Sequence, residues 1–146
     1  MISIERNALL LYSAEQIYTL INDVETYPQY MDGCVGAEVL EQTDGLMLAR
    51  LDLAKKNIRY SLTTRNTLQP PERVTMQLVD GPLSDFSGEW RVQALHASAC
   101  KVSIDIKFRL KSELLRGPLR MLLNAMADNM VDALTRRARD LYAAAK

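Results

Sequence analysis

Catalysis needs positioned acids, bases, nucleophiles or metal ligands, and this chain of 146 residues carries few of them in useful combinations. Its one histidine, His96, lies in the turn-like run Leu95-His96-Ala97-Ser98, so any Cys/His or Ser/His/Asp site would hang on a residue that reads as a solvated loop position. Asp80, Asp85 and Glu89 gather near one bend, where a carboxylate acting in a pocket competes with turn capping and a wet strand face; ordinary Asp and Glu usage favours the latter. The two cysteines, Cys34 and Cys100, are far apart, make no CxxC spacing, and read as buried free thiols. No HExxH, clustered metal ligands or Gly-rich phosphate loop occurs, which points away from zinc, nucleotide and nicotinamide chemistry. No catalytic residue and no required cofactor is therefore assigned.

A group of large, soft apolar residues stands out instead: Met76, Phe86, Trp90, Met121, Met126 and Met130. Methionine adapts to irregular cavities as well as to tight cores, and the two share composition, so these residues alone leave pocket and packed core open. Gly88, between Phe86 and Trp90, suggests a bulge or bend that curves a strand. A second set is basic: Arg116, Arg120, Arg136 and Arg139, with Arg137, all in the last stretch. Compensation of a helix dipole accounts for them, and a basic edge touching RNA or lipid head groups is the sharper alternative. Lys+Arg and Asp+Glu both number 18, so net charge gives no reason to expect DNA or membrane binding. The N-terminus has neither a signal-peptide pattern nor a membrane span, and a cytoplasmic protein is expected.

The elements that must position these groups follow from periodicity. Glu113 to Ala145 repeats apolar residues at helical spacing (Leu115, Leu119, Leu122, Leu123, Met126, Met130, Ala133, Leu134, Leu141), with Asn124, Asp128, Asp132, Arg136 and Arg139 opposite. Gly117-Pro118 marks a kink or the true first turn of this long helix. Near the N-terminus, Ile2–Leu11 reads as a partly irregular strand. Ser13 and Gln16 then form a capping box for a short helix through Ile17, Leu20, Ile21 and Val24, which Tyr27-Pro28 breaks before a second turn at Tyr30 and Met31. From Gly33 the period is two: strands run through Val35–Val39, Met47–Leu53, Ile58–Thr64, Val74–Leu78, Phe86–Ala94 and Cys100–Arg109, separated by Thr43-Asp44-Gly45, Lys55-Lys56-Asn57, Gln69-Pro70-Pro71 and Asp80-Gly81-Pro82. Short connections make an antiparallel meander, and one apolar sheet face calls for the long helix as its lid. One α+β domain, residues 1–146, in the order β, α, α, six strands, α, is the expectation.

Several segments in this order resemble the coenzyme Q-binding, START-like (SRPBCC) polyketide cyclase/dehydrase and lipid-transport proteins, including their bacterial ribosome association toxin subfamily. They are Tyr12-Ser13-Ala14-Glu15-Gln16, Asp23-Val24-Glu25-Thr26-Tyr27-Pro28, Thr64-Arg65-Asn66, Pro70-Pro71, Asp80-Gly81-Pro82, Gly88-Glu89-Trp90, and Arg137-Ala138 with Tyr142. The resemblance covers nearly the whole chain and implies the helix-grip fold, a curved antiparallel sheet wrapped around the C-terminal helix over a hydrophobic tunnel. It implies carriage of ubiquinone, another polyisoprenoid quinone or a lipid, with peripheral membrane contact, and binding to the large ribosomal subunit that blocks subunit association. It also implies, as an alternative, an oligoketide cyclase/dehydrase enzyme acting on an aromatic or polyketide substrate. The chain departs from the family after Tyr27-Pro28, where Gln29-Tyr30-Met31-Asp32-Gly33-Cys34 lacks the second Pro of the usual Leu-Pro and the Trp of the usual Trp-Cys; Leu83, Phe86 and Leu134 exchange Phe and Leu in a way that keeps volume but alters ligand shape. On this reading Tyr60, Met76, Phe86, Trp90, Leu122, Met126 and Met130 line the cavity, and Arg116, Arg120, Arg136 and Arg139 face a partner.

Overall fold

Strict alternation makes Ala99–Leu110 (β7) a strand with one dry side: Cys100, Val102, Ile104, Ile106 and Phe108 are buried, while Lys101, Lys107 and Arg109 are exposed. A computed structural model describes residues 2–55, 58–110 and 116–142, with the side chains of Ile58, Arg116, Pro118 and Leu119 outside that description. The other strands are Ile2–Leu10 (β1), Cys34–Gln42 (β2), Leu46–Lys55 (β3), Ile58–Gln69 (β4), Arg73–Asp80 (β5) and Leu83–His96 (β6). All seven form one antiparallel sheet in the order β1-β7-β6-β5-β4-β3-β2.

The meander therefore runs from β2 to β7, and β1 closes its far edge in unbroken register from Ile2 opposite Phe108 to Leu10 opposite Cys100. That register corrects the expected irregularity of the first strand. Since β1 and β2 lie at opposite edges, the chain between them must cross the concave face, and Ala14–Asn22 (α1) followed by a 3₁₀ helix, Val24–Gln29, makes that crossing. The capping box is present: Ser13 Oγ accepts from the Gln16 N–H at 3.1 Å, and Gln16 Oε1 accepts from the Ser13 N–H at 2.9 Å. The break in the helical pair comes at Asp23 rather than at Tyr27-Pro28, because Asp23 leaves helical geometry (φ −85°, ψ 66°) while Pro28 sits within the 3₁₀ helix.

Arg116–Tyr142 (α2) is the long helix, 27 residues or about 40 Å, with Gly117 and Pro118 in its first turn rather than at a kink. It buries Leu122, Leu123, Met126, Ala127, Met130, Val131, Ala133, Leu134 and Ala138. Leu141 and Met121, expected among the apolar groups facing the sheet, are 44% and 64% exposed; Met121 is one residue out of phase with Leu122, and Leu141 lies in the final turn. Residues 113–115 and 143–145 of the expected helix, and residues 56–57 of the expected Lys55-Lys56-Asn57 turn, lie outside the described residues.

Side chains tether the lid to both α1 and the 3₁₀ helix. Tyr142 Oη donates to the Gln16 carbonyl at 3.0 Å while its ring packs on Tyr12, with centroids 5.9 Å apart. Arg137 donates to Gln29 Oε1 at 3.0 Å, with its guanidinium 5.2 Å from the Tyr30 ring centroid, so this arginine pins the 3₁₀ helix to α2.

Candidate functional site: a cavity between sheet and lid

A curved sheet and a straight helix cannot touch along their whole length, and the gap between them is a cavity of about 60 Å³. Its floor is the concave side of β3 to β7, from Ala49, Leu51 and Leu53 across to Ile106 and Phe108. The 3₁₀ helix contributes Val24 and Tyr27, the end of α1 Ile21 and Asn22, and α2 Leu123, Met126, Ala127 and Met130. No charged side chain lines it among the described residues.

Of the residues expected at a cavity, Met76, Phe86, Trp90, Met126 and Met130 are brought together in its wall. Tyr60 and Leu122 stand elsewhere. Tyr60 is half-buried opposite Leu53, nearer the start of β4 than the stretch that contributes Leu62. Leu122 is fully buried but lines a separate outer hollow of about 230 Å³ with Asp32, Gly33, Ala54, Lys55, Ala125 and Asn129. Met126 lines both spaces and stands at their shared boundary. Gly33, at φ 91°, brings the chain under α2 there, its Cβ position only 3.7 Å from Leu122 Cδ1.

Gly88 does not mark a bulge, because its pairing with Met76 on one side and Ile106 on the other is in regular register. It makes room: a β-carbon there would stand 2.7 Å from Met76 Cε. The glycine is a furrow for a methionine.

Two cavity residues outside the expected lining are polar. Thr64 and Asn66, two residues apart on the inward side of β4, are 6% and 5% exposed. Thr64 Oγ1 donates to Asn66 Oδ1 at 2.8 Å, and Asn66 Nδ2 points to Met47 Sδ at 4.0 Å. A thioether sulfur only accepts, so the amide edge facing Met47 must be the NH₂. The signal was available: the alternation Tyr60, Leu62, Thr64 continues to Asn66 and Leu68, placing two polar residues in a buried phase. Tyr27 also lines the cavity; burial pushes its phenol well above the usual range, and its Oη donates to the Ile21 carbonyl.

The carboxylates near the bend lie away from the cavity. Asp80 and Asp85 are exposed, Asp85 alternating with inward-facing Phe86, and Glu89 alternates with Trp90 and faces Arg73 Nε at 2.9 Å and Arg91 at 3.8 Å. His96 is exposed at the end of β6, its Nδ1 3.4 Å from the Ser98 N–H. Cys34 and Cys100 are buried free thiols, and burial pushes the Cys34 thiol up to about 11. Among the described residues no group of three or more His, Cys, Asp or Glu is placed to hold a metal, and no helix is long and apolar enough to cross a membrane.

The partner-facing arginines are spread along α2. Arg120, Arg136 and Arg139 are exposed, but Arg120 and Arg136 are about 24 Å apart along the helix, and exposed Asp128 and Asp132 lie between them. Asp128 pairs with Arg6 of β1. The side chain of Arg116 lies outside the described residues.

A seven-stranded antiparallel sheet gripping a C-terminal helix over an apolar cavity defines the START-like, helix-grip class. Residues 10–135 match the polyketide cyclase / dehydrase and lipid transport family, and the chain belongs to it. Over 141 residues it is 40% identical to the ribosome association toxin RatA of Escherichia coli, covering 97% of this chain and 89% of that one. Among solved structures it is similar to the ZhuI aromatase/cyclase from a Streptomyces species, with a TM-score of 0.85, 19% identity and 97% of each chain covered. A START superfamily protein from Mycobacterium smegmatis gives a TM-score of 0.79 at 19% identity, covering 95% of this chain and 98% of that one.

Proposed function

We propose that this protein is a non-enzymatic binder of a hydrophobic molecule, a polyisoprenoid quinone such as ubiquinone or a lipid, held between the sheet and α2. The observation that carries the reading is the cavity wall: uncharged among the described residues, rich in methionine and aromatic side chains, and formed by elements that meet only in the folded state. At about 60 Å³ the cavity is smaller than the roughly 150 Å³ hollow that admits benzene in a packed core, so a ligand enters by moving side chains. Met76, Met126 and Met130 are suited to that movement, and withdrawal of Met126 joins the inner cavity to the outer hollow. A cyclase or dehydrase working in the same space would need an acid or base at its wall; the described wall offers the hydroxyl of Thr64, the amides of Asn22 and Asn66 and the phenol of Tyr27, which favours binding over turnover. The test is to extract freshly purified protein with organic solvent, identify what is released by mass spectrometry, and titrate the stripped protein with a ubiquinone analogue while following Trp90 emission. Absence of both a released lipid and a saturable titration rejects the carrier reading.

The 40% identity to the RatA toxin supports a second property, association with the large ribosomal subunit and interference with subunit joining. Cosedimentation with isolated large subunits at low salt tests it. A protein that stays at the top of the gradient refutes it, and weakened cosedimentation of the Arg136→Glu/Arg139→Glu double variant would assign the contact to the exposed ridge of α2.

A further inference from the structure

Thr64 and Asn66 are the buried polar residues on the inward side of β4. Burying a polar pair in an apolar wall costs free energy unless each group is bonded, and the Asn66 amide is bonded only in part. Asn66 Oδ1 is satisfied by Thr64. The Nδ2 group has two hydrogens, and its described side-chain partner is a thioether at 4.0 Å, at the outer limit of a weak contact. Asn66, 95% buried, thus lines the cavity with its amide oriented by a neighbouring hydroxyl and its NH₂ turned toward the Met47 sulfur. Its neighbours across the sheet are Met47 on one side and Met76 on the other, two flexible side chains able to withdraw from it.

We propose that Asn66, held by Thr64, is the ligand's polar anchor, donating a hydrogen bond to a neutral oxygen acceptor of ketone or quinone type at the inner end of an otherwise apolar molecule. This rests on the reading that the cavity takes an apolar ligand, and narrows the class of that ligand. An anionic head group is disfavoured there because no cationic side chain lines the wall among the described residues. Thr64 is a positioning residue: its hydroxyl occupies the amide oxygen and so leaves the NH₂ as the group on offer.

Three probes of similar ring size separate the possibilities: menadione, which has two carbonyls; methylnaphthalene, which has none; and naphthoate, which is charged. Calorimetric titration of wild type should give the order menadione, methylnaphthalene, naphthoate, from tightest to weakest. Asn66→Leu should weaken menadione about tenfold, the value of one buried hydrogen bond, and leave methylnaphthalene unchanged or slightly tighter. The carbonyl stretch of bound menadione should shift to lower frequency in wild type and return toward its value in hydrocarbon solvent in the variant. Where Asn66→Leu alone folds poorly, Thr64→Val/Asn66→Leu replaces both partners with apolar groups of similar shape, leaves no orphaned hydroxyl, and carries the same expectation. Equal binding of menadione and methylnaphthalene to wild type, or equal loss of both in the variant, overturns the anchor while leaving the apolar cavity intact. Naphthoate binding as tightly as menadione overturns the neutral class. Failure of all three probes overturns the anchor together with the cavity reading beneath it.

Discussion

Replacing Gly88 with alanine tests whether the sheet and the cavity are coupled in the way the geometry indicates. A β-carbon at this position would lie 3.7 Å from the Asp105 carbonyl and 3.8 Å from Ile106 Cγ1, both ordinary contacts, but 2.7 Å from Met76 Cε. The conflict is therefore with the free end of a flexible side chain, which must retreat by at least about 0.7 Å to restore normal separation. Gly88 is not among the glycines at positive φ, so alanine fits its backbone and should gain about 0.4–1 kcal/mol by restricting the unfolded chain. Forcing Met76 off its rotamer costs about 0.5–1.5 kcal/mol. These nearly cancel, and the melting temperature should stay within about 4 °C of wild type. The ligand should feel the change more. A cavity of 60 Å³ holds roughly four to six water-sized spheres of about 10–15 Å³, and the displaced Met76 methyl takes the place of about one. Excluding one methylene of ligand costs about 0.8 kcal/mol, or about fourfold in affinity. Thermal unfolding and a Trp90 quenching titration with menadione measure both effects on one sample. A fall in melting temperature above about 8 °C would mean that the strand itself needs glycine there, and unaltered affinity would mean that Met76 does not border the ligand; either refutes the reasoning.

Three further outcomes are expected. Met126→Ala shortens a side chain at the boundary between the inner cavity and the 230 Å³ outer hollow, so it should lower stability by about 2–4 kcal/mol in urea titrations yet bind menadione more tightly than wild type. Gly33→Ala has space for its methyl, with neighbours at 3.7 and 3.9 Å, but must hold φ at 91°; it should cost about 1–2 kcal/mol, seen as a lower urea midpoint. Cys34, lifted from 9.0 to about 11 chiefly by burial, should react with iodoacetamide near neutral pH about 100-fold more slowly in native protein than in urea. Because the folded value is the higher, the native state holds the proton more tightly; the associated stability is intact below about pH 9 and is lost as pH rises through about 11. Urea midpoints compared at these two pH values should fall further for wild type than for Cys34→Ala.

Elements with a local cause were legible from the chain. The capping box at Ser13 and Gln16 needs only residues three apart, and the two-residue period of β7 needs only its own side chains. What could not be read lies in pairings distant in sequence. β1 joins β7 across about a hundred residues, and nothing in Ile2–Leu10 names that partner. The cavity lining divided along the same line. Met76, Phe86, Trp90, Met126 and Met130 are large residues in the correct phase of their own elements, whereas Tyr60 and Leu122 share that phase but fall beyond the inner cavity, a matter of where the helix crosses the sheet rather than of periodicity. Thr64 and Asn66 were passed over for the opposite reason: a polar residue in a buried phase looks like an interruption of the pattern until the phase is followed two residues further.

One row across the sheet joins the glycine, the methionines and the amide. In cross-strand register, Ile4, Ile106, Gly88, Met76, Asn66 and Met47 succeed one another from β1 to β3. Bulk is fixed at the isoleucine end, absent at the glycine, and movable at both methionines, with the polar amide between them. A rigid row of branched residues would fill the floor beneath α2 and leave nothing to bind, while an open row would expose the amide to water and cancel its selectivity. Movable cover on either side of one donor permits a small cavity in the described structure and a larger one when a ligand displaces the cover. On this argument stability and capacity trade against each other along the row. Thr64→Val/Asn66→Leu, which removes the polar cost, should leave the melting temperature equal to or above that of wild type, since replacing both buried partners with apolar groups of similar shape is near neutral or favourable. A melting temperature lowered by more than about 4 °C in that double variant would show that the pair is structural, and that the amide serves the fold rather than a ligand.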